Sequence, residues 1–537
     1  MTNGVAAAEL AKVAASVHER YVEGRWVLSF DEYVDLFATN PVRYARDASR
    51  YVRDAFDHYG TTQVQRPWGE QTRWNLFDLP FEDASVGARR AGLIGQEHVQ
   101  EELYRSLCNF AREGRANRLV LLHGPNGSAK STVAGCVLRA LEDYSTLPEG
   151  AIYTYSWVFP SSRSTRGALG FGGGKDVSAS VLSYAHLADE ELDAKLLVEV
   201  RDHPLFLVPI EERRGLVGEL GARAYPDGLP EPYSEWFSRG RLSHKSQQIF
   251  DALLASYRGS YRDVLKHVRV ERYFISHRYR VGAVTIGPQM SVDAVERQVT
   301  ADRSLASLPA SLQALSLYEV KGELIDAAGG VLEFSDLLKR PLDTFKYLQL
   351  SVETSEVALT QQNVTLNCVM IGSANELHLD AFREHPEFAS FRGRLELVRT
   401  PYLRSYVLEQ QIYDAHVAPQ VRRHVAPHAT EVAALFAVLT RMRKADPTRH
   451  AGALGAAAAG LSAIEKMDLY ATGAAPPRLD VDTAKLVRSS IRAIYKESAD
   501  AVDYEGRTGA SPREMRVVLL DAAQSPVHPC LSPLAVL

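Results

Sequence analysis

Cysteine is scarce in this sequence, with four in 537 residues. Cys108, Cys136, Cys368 and Cys530 lie far apart and form no Cys-x-x-Cys pair. That spacing argues against a disulfide framework and a thiolate zinc site, and fits reduced, mostly buried thiols in a cytoplasmic protein. There is no basic excess either. The formal net charge is −5, which counts against a general nucleic-acid-binding surface and makes nucleic acid an unexpected partner. Long apolar runs are missing. Val5 to Val17 is Ala-rich but broken by Glu9 and Lys12, and reads as an amphipathic helix, not a signal peptide. Ala451 to Ile464 is Ala/Gly-rich and too short to span a bilayer, so no membrane association is expected. No internal repeat is evident, which disfavours a solenoid. The histidines His203, His244, His267 and His277 are scattered without ligand spacing.

What is present begins with ordinary globular content, 46% hydrophobic and 24% charged, in a chain long enough for about two to four domains. Its organising stretch is Arg118 to Thr132. A short apolar strand runs into a loop of Gly124, Pro125, Asn126, Gly127, Ser128 and Ala129. Lys130, Ser131 and Thr132 then open an apolar helix. This is the arrangement that cradles a nucleotide triphosphate: backbone N–H groups and the helix N-terminus face the phosphates, Lys130 neutralises them, and the Ser131 hydroxyl ligates Mg²⁺. ATP and Mg²⁺ are the cofactors implied. One position is off pattern: Ala129 stands where the motif has glycine, tolerable at negative φ and costly at positive φ.

Other stretches extend the pattern. Leu93-Ile94-Gly95-Gln96 precedes a helix from Glu97 to about Glu113, and Ile94 and Gly95 are placed to cover an adenine. Gly329 to Asp336 reads as a glycine–apolar strand with an acidic end. Asp336 is the first candidate for activating water and holding the metal, and Glu333 the second. Asn363 to Ile371 is a further apolar strand, with Asn375 at its tip to hold the lytic water. In Phe391-Arg392-Gly393-Arg394, Arg394 and then Arg392 are candidates for reaching a neighbouring subunit's γ-phosphate. Ser511-Pro512 starts a helix and places Arg513 early on it, suited to a lid that senses nucleotide.

Residues 1–88 read as an N-terminal helical region and linker, either a cap or a docking module. Residues 89–400 read as the nucleotide-binding core with an insertion at about 160–310, and 401–537 as a helical lid. Ile152 to Phe159 is expected to be the core's second strand. Within the insertion, Asp189 to Val200 and Ser246 to Tyr257 are expected helices, and Gly167 to Gly174 reads as a flexible hinge. The fold class is α/β: an AAA-type P-loop core, a parallel sheet between helices, with a helical N-terminal region, an α+β insertion and the C-terminal lid.

In this order the motifs resemble the PrkA family of AAA-type ATPases, bacterial proteins named as serine protein kinases. The resemblance rests on Ile94 to Gln96, Gly124 to Ser131, Gly330 to Phe334, Asn375-Glu376 and the arginine segment leading into Pro401-Tyr402-Leu403. It implies an ATP-fuelled module forming a homo-oligomeric ring, a hexamer, that acts on an unidentified protein substrate. Members usually continue into a kinase-like C-terminal region. Here there is no Gly-rich loop with a Val-Ala-Ile-Lys, no His-Arg-Asp and no Asp-Phe-Gly, so kinase activity rests on the family name. Three readings stay open: an ATPase that remodels or regulates a partner, a serine/threonine protein kinase, and a nucleotide-binding scaffold with little turnover.

Overall fold

The computed structural model describes residues 9–17, 19, 27–79, 81–82, 89–90, 92–161, 183–288, 294–299, 310–313, 315–499 and 501–537. The stretch Gly167 to Gly174 lies outside them. Strands of the two main sheets are numbered along the chain: β1 (Val27–Leu28), β2 (Leu119–His123), β3 (Ile152–Pro160), β4 (Leu192–Leu197), β5 (Val268–Tyr273), β6 (Ala283–Ile286), β7 (Val331–Phe334), β8 (Val369–Ala374) and β9 (Leu395–Arg399). Six helices matter for the site: α1 (Glu97–Glu113), α2 (Lys130–Thr146), α3 (Glu376–Arg383), α4 (Tyr406–His416), α5 (Ala429–Leu439) and α6 (Pro512–Gln524).

The central sheet has the order β6-β7-β8-β2-β9, parallel at every pairing. Strand β2 therefore lies between two strands that come much later in the chain. Every residue of β2, β7 and β8 is buried, as parallel strands covered on both faces must be. Their alternation sorts side chains into two layers. Val120, Leu122, Val369 and Ile371 pack with Val133 and Val137 of α2, Leu103 and Leu107 of α1, and Tyr51, Val52 and Phe56 of an N-terminal helix, Ala48–Tyr59. Leu119, Leu121, Leu332, Phe334 and Met370 face the other way, onto Phe345, Leu348 and Phe382. This is the α/β AAA arrangement.

The second sheet, β1-β5-β3-β4, is antiparallel throughout. Ile152 to Phe159 is thus a strand, but not the second strand of the parallel sheet; β6 takes that place, beside the acidic strand. The stretch Asp189 to Val200 also differs from expectation. It forms a short 3-10 turn and then β4, pairing with β3 from Leu192 to Leu197, because the edge of β3 offers ladder partners that local charge pattern does not reveal. Tyr33 and Phe37 of the N-terminal helix Phe30–Thr39 sit in the core beneath this sheet.

Part of the linker expected within residues 1–88 is a hairpin, Thr61–Arg66 with Gly69–Trp74. Its Trp68 stacks on Tyr495 at 4.2 Å, joining the N-terminal region to the C-terminal helices. There α4, α5 and α6 share a small core that includes Tyr413, Ala433 and Leu519. Among the described residues no helix is long and apolar enough to cross a membrane.

Candidate nucleotide site

Parallel strands open a crevice beyond their C-terminal ends, where neighbouring connections diverge. Here β2 ends at His123 and the chain turns through Gly124 to Ser128 into α2. Gly124 is required by close approach: an added Cβ would lie 2.0 Å from the Thr400 carbonyl oxygen, because the end of β9 crosses there. Gly127 has φ +80°, and its missing Cβ leaves room for Ser511 and Arg513, 3.4 and 3.8 Å from where it would stand. The lid helix α6 thus begins directly against the phosphate loop. Ser511 caps α6 and Glu514 returns the bond to complete the capping box, with Pro512 at the first helical position.

Ala129 takes φ +74°, the left-handed conformation. Of the two outcomes open to it, this is the costly one, roughly 1–2 kcal/mol for a residue with a Cβ. The strain sits where the chain must reverse to aim the first amides of α2, which have no intrahelical acceptor, into the crevice.

A cavity of about 390 Å³ occupies this crevice, and Ile94, Asn126, Gly127, Ala129, Lys130, Ser131, Thr132, Asp336 and Arg513 all line it. The Lys130 ammonium donates to the carbonyls of Gly124 (2.9 Å) and Pro125 (2.7 Å). Burial pulls its pKa down to about 8, against the favourable fields of Asp336 and Glu376. Asp336 is itself in the left-handed region, φ +50°; its N–H donates to Ser373 Oγ, and its carboxylate pairs with Lys339 at 2.6 Å. Arg513 is exposed and makes no ion pair among the described residues. Three cations, Lys130, Lys339 and Arg513, line the crevice with the Ser131 hydroxyl at the helix start and the Asp336 carboxylate, a lining suited to a triphosphate with its metal ion. No cluster of three His, Cys, Asp or Glu side chains able to hold a metal occurs among the described residues. A divalent cation would therefore rest on Ser131 and Asp336 together with phosphate oxygens.

The family model described as PrkA AAA domain matches residues 239–449, and that described as PrkA serine protein kinase C-terminal domain matches 464–537. The chain belongs to the PrkA family. It is 23% identical over 497 residues to a Bacillus subtilis (strain 168) protein named ATP-dependent protease PrkA, an alignment covering 91% of this chain and 63% of that protein. The chain thus spans under two thirds of that relative's length. The phosphate loop falls outside both PrkA domain matches and is located by the sheet itself, through β2. The PrkA C-terminal match, in contrast, folds here as helices, among them the α6 that carries Arg513.

Not every candidate residue reaches this PrkA cavity. Gly95 has φ +69°, and an added Cβ would press on Leu403 at 2.8 Å, so its place is in packing. Beside it Gln96 donates to the Pro401 carbonyl at 2.7 Å. Glu333 is buried within β7, accepting from Thr285 at 2.7 Å, and burial raises its pKa; it does not line the cavity. The Asn375 Oδ1 caps α3 by accepting from the His378 N–H at 3.0 Å. Ser373, two residues earlier, is the strand-tip polar group lining the cavity. Arg394 precedes β9 and its carbonyl accepts from Leu119 N–H, at the start of β2. Five strand residues separate it from the loop, about 15 Å, and its guanidinium pairs with Glu353. Arg392 is exposed at the end of the helix Phe388–Arg392. Neither arginine can reach the phosphates of its own chain.

Sequence reasoning missed Lys339 and Ser373, and it gave no role to Glu376, although Asn375-Glu376 is part of the resemblance. Glu376 is buried and accepts from His123 Nδ1 at 2.8 Å and from the Tyr504 hydroxyl at 2.6 Å. Burial opposes its ionisation, yet these bonds and nearby Arg507 hold its pKa down at about 2. It joins the end of β2, the start of α3 and the approach to the lid. Nothing local signals this, because its partners are far away in sequence.

Proposed function

We propose that this PrkA-family chain is an ATPase that works as a homo-oligomeric ring, a hexamer, in the cytoplasm, and that it uses ATP and Mg²⁺ to remodel or regulate a protein partner. The observation that carries this reading is the convergence of Lys130, Ser131, Asp336 and Arg513 on one crevice. The division into residues 1–88, 89–400 and 401–537 is proposed with it: N-terminal helical region and linker, ATPase core with an insertion at about 160–310, and helical lid.

In this reading the Lys130 ammonium exchanges loop carbonyls for phosphate oxygens. Asp336 polarises the attacking water, with Glu333 the weaker candidate because it is buried beneath Thr285. Asn375 orients that water once its amide swings from the cap. Mg²⁺, when bound at Ser131 and Asp336, supplies charge neutralisation of the developing phosphate. Arg394, or failing it Arg392, acts on the neighbouring subunit, since about 15 Å of strand separates it from its own loop. Arg513 reports nucleotide to the lid.

Steady-state phosphate release tests this, with wild type, Lys130→Ala and Arg394→Ala across a concentration series. Turnover per chain is expected to rise with concentration and to vanish in each variant. Mixing the two inactive variants should restore part of it, because each supplies what the other lacks. Absence of turnover despite ATP binding would replace the motor with a scaffold. The serine kinase reading draws on the description of the C-terminal family model; radiolabelled phosphate on a protein hydroxyl, lost in Lys130→Ala, would favour it.

A further inference from the structure

Helix α3 has two working faces. Glu376 and Asp380, one turn apart, point to the lid approach: Glu376 accepts from Tyr504, and Asp380 from Arg507. Leu377 and Ala381, also one turn apart, line a separate groove of about 320 Å³ with Phe382 and with Leu338, Leu342 and Phe345 of the segment after β7. The groove is mostly apolar, and Leu377 is left 74% exposed at its edge. Both of its walls start at the nucleotide crevice. One begins after Asp336, the other after Asn375.

Arg340 lines the same groove and is only 6% exposed. One of its terminal nitrogens donates to the Gly287 carbonyl. Among the described residues its Nε and its other terminal nitrogen have no hydrogen-bond partner, and the carboxylate whose field reaches it, Glu323, is paired with Arg280 instead. A buried guanidinium with unmet N–H groups is expensive unless something anionic meets it. An apolar groove with an unmatched cation in its wall fits a ligand that is apolar and carries a carboxylate. Because Arg340 is sunk below the surface, a side chain can reach it where a main chain cannot.

We propose that this groove binds an extended apolar segment of a protein partner bearing an acidic side chain, with leucine-like groups against Leu377, Leu342 and Phe345 and the carboxylate on Arg340. Occupancy is transmitted along α3 to Glu376, and so to the phosphate-loop strand and the lid. The proposal rests on the ATPase reading for its purpose, but not for its binding test.

The test uses the full chain and two fluorescein-labelled peptides, leucine-rich and differing only in a central Glu or Gln, read by anisotropy. Binding of a fluorescent ADP is measured alongside. The Glu peptide is expected to bind about tenfold tighter than the Gln peptide, or about 1.4 kcal/mol, because only the carboxylate gives Arg340 a charge-assisted pair. Leu377→Ser, at an exposed position where folding is not at stake, should weaken the Glu peptide several-fold and leave ADP binding unchanged. Arg340→Met should equalise the two peptides. Equal binding of Glu and Gln peptides by wild type, or no effect of Leu377→Ser, overturns the proposal. Loss of ADP binding by wild type would instead sink the nucleotide reading, whatever the peptides do.

Discussion

On the proposed reading, Lys130 gives nucleotide binding a pH dependence. Its folded pKa is about 8, below the ordinary lysine value of 10.5, because burial disfavours the ammonium more than Asp336 and Glu376 favour it. An anionic phosphate beside it must raise that value again. Nucleotide therefore binds the protonated form, and binding takes up a proton whenever Lys130 was neutral. The sign follows: affinity is full below pH 8 and falls as pH rises through 8. The free protein is roughly 90% protonated at pH 7 and about 10% at pH 9, so the dissociation constant should rise about tenfold, or 1.4 kcal/mol. Proton uptake on binding should be about 0.5 at pH 8 and about 0.9 at pH 9 by the same linkage. Isothermal titration with a non-hydrolysable ATP analogue at saturating Mg²⁺, in buffers of different ionisation enthalpy, reads both quantities. Lys130→Arg keeps a permanent charge and should bind with no such slope. A wild-type affinity that is flat from pH 7 to 9, or an arginine variant that falls as steeply, refutes the argument.

Three further outcomes follow from the same structure. Ala129→Gly should stabilise the protein by about 0.5–1 kcal/mol, the left-handed strain relieved less the added freedom of the unfolded chain, read as a shift in denaturant midpoint. Glu376, held at about 2, contributes stability that is present above its ordinary value of 4.5 and lost as pH falls from there toward 2. Glu376→Gln should therefore be less stable at neutral pH and show a flatter acid-unfolding curve across that window by near-UV circular dichroism. Arg441 and Glu409 are fully buried and joined by two bonds of 2.7 and 2.8 Å. Removing either partner alone should cost about 3–5 kcal/mol, whereas Arg441→Met with Glu409→Leu should recover much of the loss, as judged by thermal unfolding.

The phosphate loop was legible because its signal is local: an apolar strand, two glycines and Lys-Ser within fifteen or so residues, each fixed by its immediate neighbours. The Ser511-Pro512 helix start was legible for the same reason. Strand pairing was not. Ile152 to Phe159 is twice as long as Ala283 to Ile286, yet the shorter segment enters the central sheet, because pairing with β7 is decided by the chain's path and not by composition. Asp189 to Val200 misled in the same direction, its charges suggesting a helix where β3 offered an open edge. Among site residues, Asp336 stood out by its place at the end of a strand. Ser373 and Lys339 look like ordinary strand-end and turn residues, and only the folded crevice gathers them. Glu376 is the sharpest case. Its neighbours in sequence make it look like a helix-start acid, while its bonds to His123 and Tyr504 exist only in three dimensions.

The segment joining β9 to α4 links the loop after β2 to the start of α6. Thr400 presses its carbonyl into the space that Gly124 leaves, and its N–H donates to the His123 carbonyl at 2.7 Å. Pro401 receives the Gln96 amide. The Tyr402 hydroxyl donates to the Asn126 carbonyl, while its ring lies 4.8 Å from the Arg441 guanidinium. Arg441 in turn donates to the carbonyls of Leu403 and Ala510, the latter immediately before Ser511 and the lid helix. Each contact is a hydrogen bond or a packed ring in a partly buried layer between the loop and the helices. A shift of Asn126 toward phosphate would therefore pull Tyr402, and through Arg441 both α4 and the start of α6. Arg513 stands three residues beyond Ala510. The same short segment that packs against the loop after β2 is thus joined through Arg441 to the start of the helix that carries Arg513.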